Sequence, residues 1–461
     1  MPNKTRLQDK VQDLYDRISN DFYLNREDFE ANGQRYNSAL LFGTLTELNK
    51  GKMLLFGEYG GGKTTSAEYL NSVFNNLPLD LVKRVAIRGN PQETKESIIA
   101  NPDYGLMNTG DREWGQKPMW THWAMIGPKI IDEFPRIPES NQAIVLDIVD
   151  RGNIGYMRGF ISQGRQPFFA TANYADKGSF DIIPAMRDRF DVAVESGFPG
   201  VINALHIAQD YHNDKDDVLE NLELTRKALD VLNSGKTYED VQKELEVIVQ
   251  QQQAKLRDSG FSVLTAEDKE KIEQEIRAVK LNIDAEHYFA FLVAEMNSSQ
   301  KYGQKRSVDN PEGDKPNGLY LNTTFAGSGS RREEKSLMRY AKSLAWLQGE
   351  GEVNLDHISQ VAPYVLWHRI KWTPETEQAF RDSDRKDPLD LYIAKILLGD
   401  GTNEISGVKK RLVESQENYQ RVIDLVGHVK VEQAIQEAKD FYADGKGHPI
   451  FLDIIRDLGG K

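Results

Sequence analysis

Residues 53–70 read MLLFGEYGGGKTTSAEYL and contain the pattern GxxxxGK[ST] between Gly57 and Thr64. The apolar residues before the pattern predict a buried strand, and the residues from Thr65 to Leu70 predict a helix. Glycines allow backbone N–H groups to turn inward around phosphate oxygens, and the N-terminus of the following helix adds positive potential. The stretch therefore predicts a phosphate-binding loop between a strand and a helix.

The same loop supplies the predicted ligands for a nucleotide and its metal ion. We expect Lys63 to reach the β- and γ-phosphates of ATP and the hydroxyl of Thr64 to coordinate Mg²⁺. A chance match to a Gly-rich turn is the alternative, and the strand and helix on either side argue against it. The residues predicted to bind the nucleotide are Gly57, Gly60, Gly61, Gly62, Lys63, Thr64 and Thr65.

A second strand, KIIDEF (residues 129–134), ends in acidic residues roughly seventy positions after the loop. Ile130 and Ile131 predict a buried strand, so Asp132 and Glu133 are expected at its carboxyl end. We expect Asp132 to hold Mg²⁺ through water, and Glu133 to orient and deprotonate the water that attacks the γ-phosphate. An apolar strand ending in Asp-Glu is a weak signal alone but a strong one after a phosphate loop.

A third strand ends in a polar residue in QPFFATAN (residues 166–173), and two arginines follow in IIPAMRDRFDVAVE (residues 182–195). We expect Asn173 to position the attacking water by hydrogen bonding. Arg187 and Arg189 lie in a compact turn before a Val-rich strand pattern. They belong either to an ordinary salt-bridged surface or to a site for an anion outside the chain.

The order of these motifs resembles that of the AAA+ ATPases, and their wording is similar to the MoxR family in particular. The resemblance covers roughly residues 40–200 and 284–370. It implies an ATP-hydrolysing enzyme with a nucleotide-binding core and a helical lid. The stretches that carry it are DEFPRIPESNQAIVLDIV (132–149), PFFATAN (167–173), IPAMRDRF (183–190), SRREEKSLMRYAKSLAWLQGEGEV (330–353) and WHRI (367–370).

The resemblance also implies roles for three residues. Asn173 corresponds to sensor 1, Arg189 to the arginine finger and Arg332 to the sensor 2 arginine. A guanidinium offers a planar fork of donors that suits a γ-phosphate, which a lysine does not. In AAA+ proteins the finger reaches the nucleotide of the neighbouring subunit. The resemblance therefore implies a homo-oligomeric ring, usually a hexamer.

Three departures from the family pattern leave alternatives open. Pro135 stands where the family has an asparagine. The IPAMRDRF segment is one residue shorter than its counterpart, so Arg187 competes with Arg189 for the finger role. Arg331 directly precedes Arg332, and the spacing to the residues that follow favours Arg332 as sensor 2.

Composition limits the classes of partner. The formal net charge is −13, so nucleic acid and anionic membranes are expected to be repelled unless a local basic groove exists. No apolar run is long enough to cross a bilayer, and residues 1–30 are charged throughout rather than signal-like. The absence of cysteine excludes disulfides and thiolate metal sites. We therefore expect a cytoplasmic protein that does not insert into membranes.

Alternating strand-like and helical stretches predict an α/β fold with an AAA+ P-loop core, in which helices sandwich a parallel sheet. Strands are expected at MLLFG, RVAI, KIID, QPFFATA and FDVAVE. The predicted divisions are a helical N-terminal extension at 1–39, the core at 40–200, a helical lid at 201–372 with a helical hairpin inserted at about 236–283, and a helical C-terminal extension at 373–461.

Heptad-like apolar spacing from Val241 to Ile283 predicts that the inserted helices form an antiparallel hairpin projecting from the body. A plain packing element is at least as well supported as a partner-binding arm. The stretch from Ser298 to Gly318 is rich in Gly, Pro and Lys and predicts a long flexible loop.

Two segments are predicted to act on a partner. Residues 100–120 correspond to the family's helix-2 insert, and residues 151–166 to the hairpin before sensor 1. Their apolar side chains either pack on the core or contact a substrate. These side chains are Met107, Trp114, Tyr156, Met157 and Phe160.

The favoured interpretation is a ring-forming MoxR-type ATPase that remodels, matures or activates a client protein complex. The family resemblance also implies a partner with a von Willebrand factor A domain. A DNA-dependent motor related to the MCM or McrB proteins is the alternative, opposed by the net charge and the lack of a basic-aromatic stripe. A third interpretation is a scaffold that switches on ATP binding with little turnover, and the intact Glu133 argues against it.

Overall fold

The computed structural model of the chain separates into two compact units. Unit 1 comprises residues 1–278 and 346–350, and unit 2 comprises residues 279–345 and 351–461. The residues that the structure describes are 5–58, 60–103, 118–173, 182, 184–197, 199–209, 218–297, 320–321, 324–326, 330–381, 383–385, 387–402, 405–442 and 447–459. The predicted loop from Ser298 to Gly318 and two predicted contact residues, Met107 and Trp114, lie outside these ranges.

Unit 1 contains a parallel sheet flanked by helices, and pairs of short antiparallel strands. Its strands are β1 (Phe29–Ala31), β2 (Gln34–Tyr36), β3 (Lys52–Phe56), β4 (Ile87–Arg88), β5 (Ala100–Pro102), β6 (Pro118–Trp120), β7 (Lys129–Asp132), β8 (Asn153–Tyr156), β9 (Gly159–Ser162), β10 (Phe168–Ala172) and β11 (Val192–Glu195). Its helices are α1 (Arg6–Asp21), α2 (Ser38–Asn49), α3 (Lys63–Asn75), α4 (Leu79–Val85), α5 (Lys95–Ile98), α6 (His122–Met125), α7 (Glu139–Arg151), α8 (Pro184–Arg187), α9 (Val201–Gln209), α10 (Leu222–Leu232), α11 (Tyr238–Asp258) and α12 (Ala266–Ala278).

The parallel sheet has the strand order β11–β3–β10–β7–β4. The phosphate-loop strand β3 therefore lies between β10, which precedes Asn173, and β11, which follows Arg189. Its central strands are buried on both faces; Leu54, Ile131 and Phe169 are fully buried. Strands covered by helices on both faces read as continuous apolar runs, which is why these strands were visible in the sequence. The predicted α/β fold with a parallel sheet is confirmed.

The strand predicted at RVAI is shorter and later than expected. Residues 79–85 form α4, and the strand β4 contains only Ile87 and Arg88. Pro78 precedes the first turn of α4, Asp80 lies in that turn, and Lys83 lies in the last turn. This charge order complements the helix dipole and extends the helix into the predicted strand.

The two inserted helices, α11 and α12, contact other elements of unit 1, so the prediction that they project from the body is wrong. Lys10 Nζ lies 2.7 Å from Asp268 Oδ2, and Gln242 Nε2 of α11 donates to Met125 O over 2.9 Å. Their apolar stripe is buried. The buried stripe residues are Val241, Leu245, Ile248, Leu256, Ile272 and Ile276. The compact units divide after Ala278, and the boundary between core and lid at 200/201 stays a prediction.

Unit 1 also includes a segment from much later in the chain, residues 346–350. Gln8 Nε2 in α1 donates to Trp346 O over 2.6 Å, and Trp346 Nε1 donates to Glu275 Oε2 in α12 over 2.8 Å. Gln348 Nε2 donates to Ala31 O over 3.0 Å. The segment therefore joins the N-terminal helix, the first strand pair and the helical hairpin.

Unit 2 is mostly helical in its described residues, as predicted for the lid and the C-terminal extension. Its strands are β12 (Lys280–Leu281), β13 (Phe325–Ala326), β14 (Glu352–Val353) and β15 (Lys371–Trp372). Its helices are α13 (Ile283–Asn297), α14 (Arg331–Leu347, whose end belongs to unit 1), α15 (Leu355–Leu366), α16 (Pro374–Arg381), α17 (Leu389–Leu398), α18 (Val408–Gly427), α19 (Val431–Tyr442) and α20 (Pro449–Asp457). None of the helices in the described ranges has the length and apolar character needed to cross a bilayer.

A buried charge cluster fastens the C-terminal helices of unit 2 to α13. Glu295 is fully buried and accepts hydrogen bonds from Arg411 Nε (2.7 Å), Arg411 Nη2, His448 Nε2 (3.1 Å) and Leu321 N (3.0 Å). Burial alone would raise the pKa of Glu295, but the His448 hydrogen bond and the Arg411 charge outweigh it and lower that pKa. His448 Nδ1 accepts from Ile450 N over 3.2 Å at the start of α20, so Nε2 carries the proton of a neutral ring.

Candidate active site

The loop between β3 and α3 forms a cradle that only glycine fits. Gly57 has φ 150°, and a Cβ atom there would lie 2.5 Å from the carbonyl oxygen of Ser196. Gly62 precedes α3 with φ 71°, a left-handed conformation that favours glycine. Ser196 was not predicted; its Oγ donates to Gly61 O over 2.7 Å and its N to Phe56 O over 2.7 Å. The end of β11 therefore supports the predicted phosphate loop.

Lys63 is folded back into this loop. Its Nζ donates to Gly57 O over 3.0 Å and to Glu58 O over 2.7 Å. Burial lowers the pKa of Lys63, while Asp132, Glu58 and Glu133 act in the opposite direction. Among the described residues, only neutral carbonyl oxygens accept hydrogen bonds from Lys63 Nζ, so this buried cation is suited to bind an incoming phosphate anion.

Asp132 at the end of β7 lies against the start of α3. Thr64 Oγ1 donates to Asp132 Oδ1 over 2.5 Å, and Thr171 Oγ1 donates to the same oxygen over 2.6 Å. The Thr171 hydroxyl also accepts from Glu133 N over 2.9 Å. Two residues predicted as metal ligands, Thr64 and Asp132, are thus in direct contact, and Thr171 links them to Glu133.

Thr171 is expected from the sequence at a polar strand end near the γ-phosphate, but the sequence predicts no role for it. Its side chain is buried, in a strand whose other residues are Phe or Ala. A buried hydroxyl in so apolar a strand needs a hydrogen-bond partner, and this requirement predicts a polar contact for Thr171. Asn173 follows the strand directly and is half-buried. Because β10 and β7 are parallel neighbours, their carboxyl ends lie together, which places Thr171 beside Asp132.

Glu133 precedes a tight turn that brings Arg136 close to its carboxylate. Its backbone has φ 52° and ψ 44°, and residues 134–136 form a single 3₁₀ turn. Arg136 Nη1 lies 2.8 Å from Glu133 Oε2, and both side chains are about one-third exposed. The predicted base therefore has a guanidinium partner three residues later in the same turn.

The remaining predicted ligands occupy different parts of the loop and helix. Gly60 has φ 76°, Gly61 contacts the end of β11, and Thr65 is exposed on the first turn of α3. Arg332 belongs to α14 in unit 2, and its sensor 2 role stays a prediction.

Arg189 lies near the amino end of β3, whereas the phosphate loop follows the carboxyl end of that strand. The neighbouring Asp191 N donates to Lys52 O over 2.8 Å, at the amino end of β3. The length of β3 is roughly 13 Å, at about 3.3 Å per residue, which an arginine side chain does not cross. Arg189 Nη1 lies 3.8 Å from Asp150 Oδ2, and Arg187 Nε donates to Ile182 O over 2.7 Å.

Both predicted effector segments form antiparallel hairpins in unit 1. Strands β5 and β6 are the described base of the insert, and β8 and β9 form the hairpin before sensor 1. Gly159 packs so closely on the insert that a Cβ atom there would lie 2.3 Å from Pro118 Cγ. Met119, Met157 and Phe160 are exposed by 56%, 52% and 64%, whereas Tyr156 is buried.

Comparison with known protein families identifies the domains. Residues 52–190 match the AAA domain of the dynein-related subfamily, and residues 323–389 match the AAA lid domain. The chain therefore contains an AAA domain and an AAA lid domain. The family match makes it an ATP-hydrolysing P-loop enzyme and accounts for the phosphate loop, the acidic strand end and the helical lid.

Two solved structures are similar to this chain. A protein of Cytophaga hutchinsonii assigned as an ATPase matches with a TM-score of 0.51 and 15% identity, over 80% of this chain and 92% of that one. A full-length MCM homologue from Methanopyrus kandleri matches with a TM-score of 0.38 and 12% identity, over 80% of this chain and 63% of that one. No curated protein sequence matches the chain at a significant level.

Proposed function

We propose that this AAA+ ATPase forms a homo-oligomeric ring of MoxR type, hexameric in most such proteins, and uses ATP hydrolysis to remodel a client protein. The observation that carries the proposal is the pair of hairpins that pack against each other and expose Met119, Met157 and Phe160. Exposed apolar groups on neighbouring hairpins are typical of surfaces that bind other proteins. The family resemblance adds a partner with a von Willebrand factor A domain.

In the proposed reaction, Lys63 and the N–H groups of the loop bind the phosphates of ATP. Glu133 accepts a proton from the attacking water, and Asn173 orients that water. Thr64 and Asp132 provide the oxygen donors that Mg²⁺ prefers, and the bound ion would neutralise phosphate charge. Thr171 holds Asp132 and the backbone of Glu133 in place through the hydrogen bonds described above.

Helix α6 connects both hairpins to the strand that carries the reaction. It follows β6 of the insert, and Gln163 of the second hairpin donates to Ala124 O over 2.6 Å. Lys129, the first residue of β7, is buried and donates to Trp123 O over 2.5 Å. These contacts support mechanical coupling between the Asp132 end of β7 and the client-binding surface.

The ring is supported by the place of Arg189, which cannot reach the phosphate loop of its own subunit. We propose that it contacts the nucleotide bound by Lys63 of the next subunit. Arg189→Ala and Lys63→Ala proteins should each lose ATPase activity, and mixing them should restore part of it at mixed interfaces. Arg187→Ala is the matched control and should stay active. If Arg187→Ala is inactive and Arg189→Ala active, the finger is Arg187.

The client is tested with Glu133→Gln protein loaded with ATP. The variant should bind ATP normally, lose about 10²–10⁴-fold in turnover, and retain its client through affinity purification. Adding Phe160→Ser should release the client. Val247→Ser, on an exposed part of α11, is the matched control and should not. Equal retention by both double variants would contradict the proposed surface.

A DNA-dependent motor is the second candidate, favoured by one observation. Arg158 is exposed in the same hairpin as Phe160, and an arginine beside an aromatic ring suits a nucleic-acid strand. Stimulation of ATPase activity by single- or double-stranded DNA, decreasing with salt and lost in Arg158→Ala, would support it. Absence of DNA binding at low salt would exclude it.

A further inference from the structure

The predicted base has an ion-pair partner within its own turn. Glu133 Oε2 lies 2.8 Å from Arg136 Nη1. The contact follows from the turn: Arg136 N donates to Glu133 O over 2.9 Å, and side chains three residues apart eclipse each other in a 3₁₀ turn. Pro135 lies inside this turn, where its fixed φ favours the conformation.

We propose that Arg136 is a positioning residue that holds Glu133 in a resting ion pair, and that ATP hydrolysis requires this pair to open. The proposal rests on the role of Glu133 as the base in the proposed function. A general base must accept a proton on a carboxylate oxygen. A guanidinium bound to that oxygen occupies the position that would receive the proton.

The backbone of Glu133 stays fixed while the side chain changes partner. Thr171 Oγ1 accepts from Glu133 N over 2.9 Å, and the left-handed conformation is set at the same residue. Rotation of the Glu133 side chain then separates its carboxylate from Arg136. Release of the base does not require β7 or the phosphate loop to move.

The strength of the ion pair between Arg136 and Glu133 follows from the solvent exposure of the two side chains. The side chains of Arg136 and Glu133 are 33% and 29% exposed, so water and salt screen the attraction. Ion pairs of this kind contribute at most about fivefold to an equilibrium constant. Such a pair slows the reaction without blocking it and opens in every catalytic cycle.

The test compares Arg136→Met with Arg136→Lys at saturating ATP. Methionine has a similar length and no charge, so kcat should rise about threefold with KM for ATP unchanged. Lysine keeps the cation and should leave kcat near the wild-type value. Arg136→Gln replaces the methionine variant if the latter melts at a lower temperature. Binding of a fluorescent ATP analogue and the oligomeric state should be equal in all the proteins.

Two further measurements report the ion pair itself. Raising KCl should increase kcat of the wild type relative to Arg136→Met, because salt weakens the pair that only the wild type contains. The acidic limb of the pH–rate profile should shift to higher pH in Arg136→Met, because the base has lost a cation that favours its ionised form. A side chain that merely stabilises the fold would change neither.

Two results would overturn the proposal. A lower kcat in Arg136→Met that Arg136→Lys restores would mean that the cation takes part in hydrolysis. Equal kcat, salt response and pH profile in the variant and the wild type would mean that the pair has no effect on the base. Failure of the proposed function is recognised separately, because Glu133→Gln would then keep its turnover.

Discussion

Two carboxylates, Asp132 in unit 1 and Glu295 in unit 2, are held by hydrogen bonds but differ in how fully their oxygens are used. Each oxygen of Glu295 accepts two bonds: Oε1 from Arg411 and His448, and Oε2 from Arg411 and Leu321. A carboxylate has about four acceptor positions, so Glu295 has none left for a ligand.

Asp132 is arranged in the opposite way. Both hydroxyl groups that contact it, from Thr64 and Thr171, bond to Oδ1, and within the described part of the chain no hydrogen bond reaches Oδ2. The side chain is half-buried rather than enclosed. The comparison teaches that a carboxylate with filled acceptors holds a fold together, whereas one with a free oxygen at a strand end is available for chemistry.

The strongest way to break the comparison is to remove the filled carboxylate. Glu295→Gln should lower the free energy of unfolding of unit 2 by about 3–5 kcal/mol, because Arg411 is left buried without its counter-ion. Thermal denaturation and hydrogen exchange of amides in α13 and α18 both measure the loss of stability of unit 2. Glu437→Gln removes an exposed pair with Arg421 in the same unit and should cost under about 1 kcal/mol. Equal losses in the two variants would contradict a special role for the buried cluster.

A pH titration sharpens the comparison, because unit 2 should lose stability as pH falls and unit 1 should lose stability as pH rises. Burial lowers the pKa of His357 to about 4, and its Nδ1 accepts from Asn354 N at the start of α15. The unfolded histidine titrates near 6.5, so unit 2 should lose stability as pH falls from about 6.5, by about 3 kcal/mol at pH 4. Burial also lowers the pKa of His448, which acts in the same direction.

In unit 1, burial raises the pKa of Glu68 in α3 to about 7. The stability that its neutral form contributes should be present below about pH 4.5 and lost as pH rises through 7. Hydrogen exchange at probes in each unit between pH 4 and 8 measures both trends. His357→Gln should flatten the acid response of unit 2, since glutamine at this capping position accepts the same hydrogen bond. His428→Gln, at an exposed histidine, should leave it unchanged.

The smallest effect is expected where the open carboxylate loses one support. Thr171→Val should lower kcat and the apparent Mg²⁺ affinity about tenfold, because Asp132 loses a donor and Glu133 N–H is left unsatisfied at about 1–2 kcal/mol. Thr171→Ser should restore both values. Thr46→Val removes a buried hydroxyl bonded to Phe42 O in α2 and should change stability without changing kcat. Normal kcat in Thr171→Val would show that Asp132 needs no second hydroxyl.

Sequence patterns revealed the open site because its parts are local. The loop from Gly57 to Thr64 and the Asp132–Glu133 pair each lie within a few residues of a strand end, where parallel topology brings them together. The pair of Glu133 and Arg136 was also within reach, since the residues are three positions apart. The pair was not predicted because it depends on the 3₁₀ turn at residues 134–136, and the spacing of apolar residues does not predict that turn.

The closed cluster could not be predicted in the same way. Glu295 lies 116 residues from Arg411 and 153 from His448, with no shared motif. The helical hairpin shows a related failure. Its apolar stripe was visible, but the side chains that dock it, such as Lys10 and Gln242, belong to distant or polar positions. Periodicity predicts which face is buried and not what buries it.

The segment at residues 346–350 has a practical consequence for dissecting the protein. A fragment that stops at Ala278 contains the whole nucleotide-binding sheet but leaves Gln8 Nε2 and the carbonyl of Ala31 without Trp346 O and Gln348. No continuous stretch of chain shorter than 1–350 contains every part of unit 1. Shorter fragments should therefore bind nucleotide poorly and aggregate, and a fused peptide carrying residues 346–350 should rescue them.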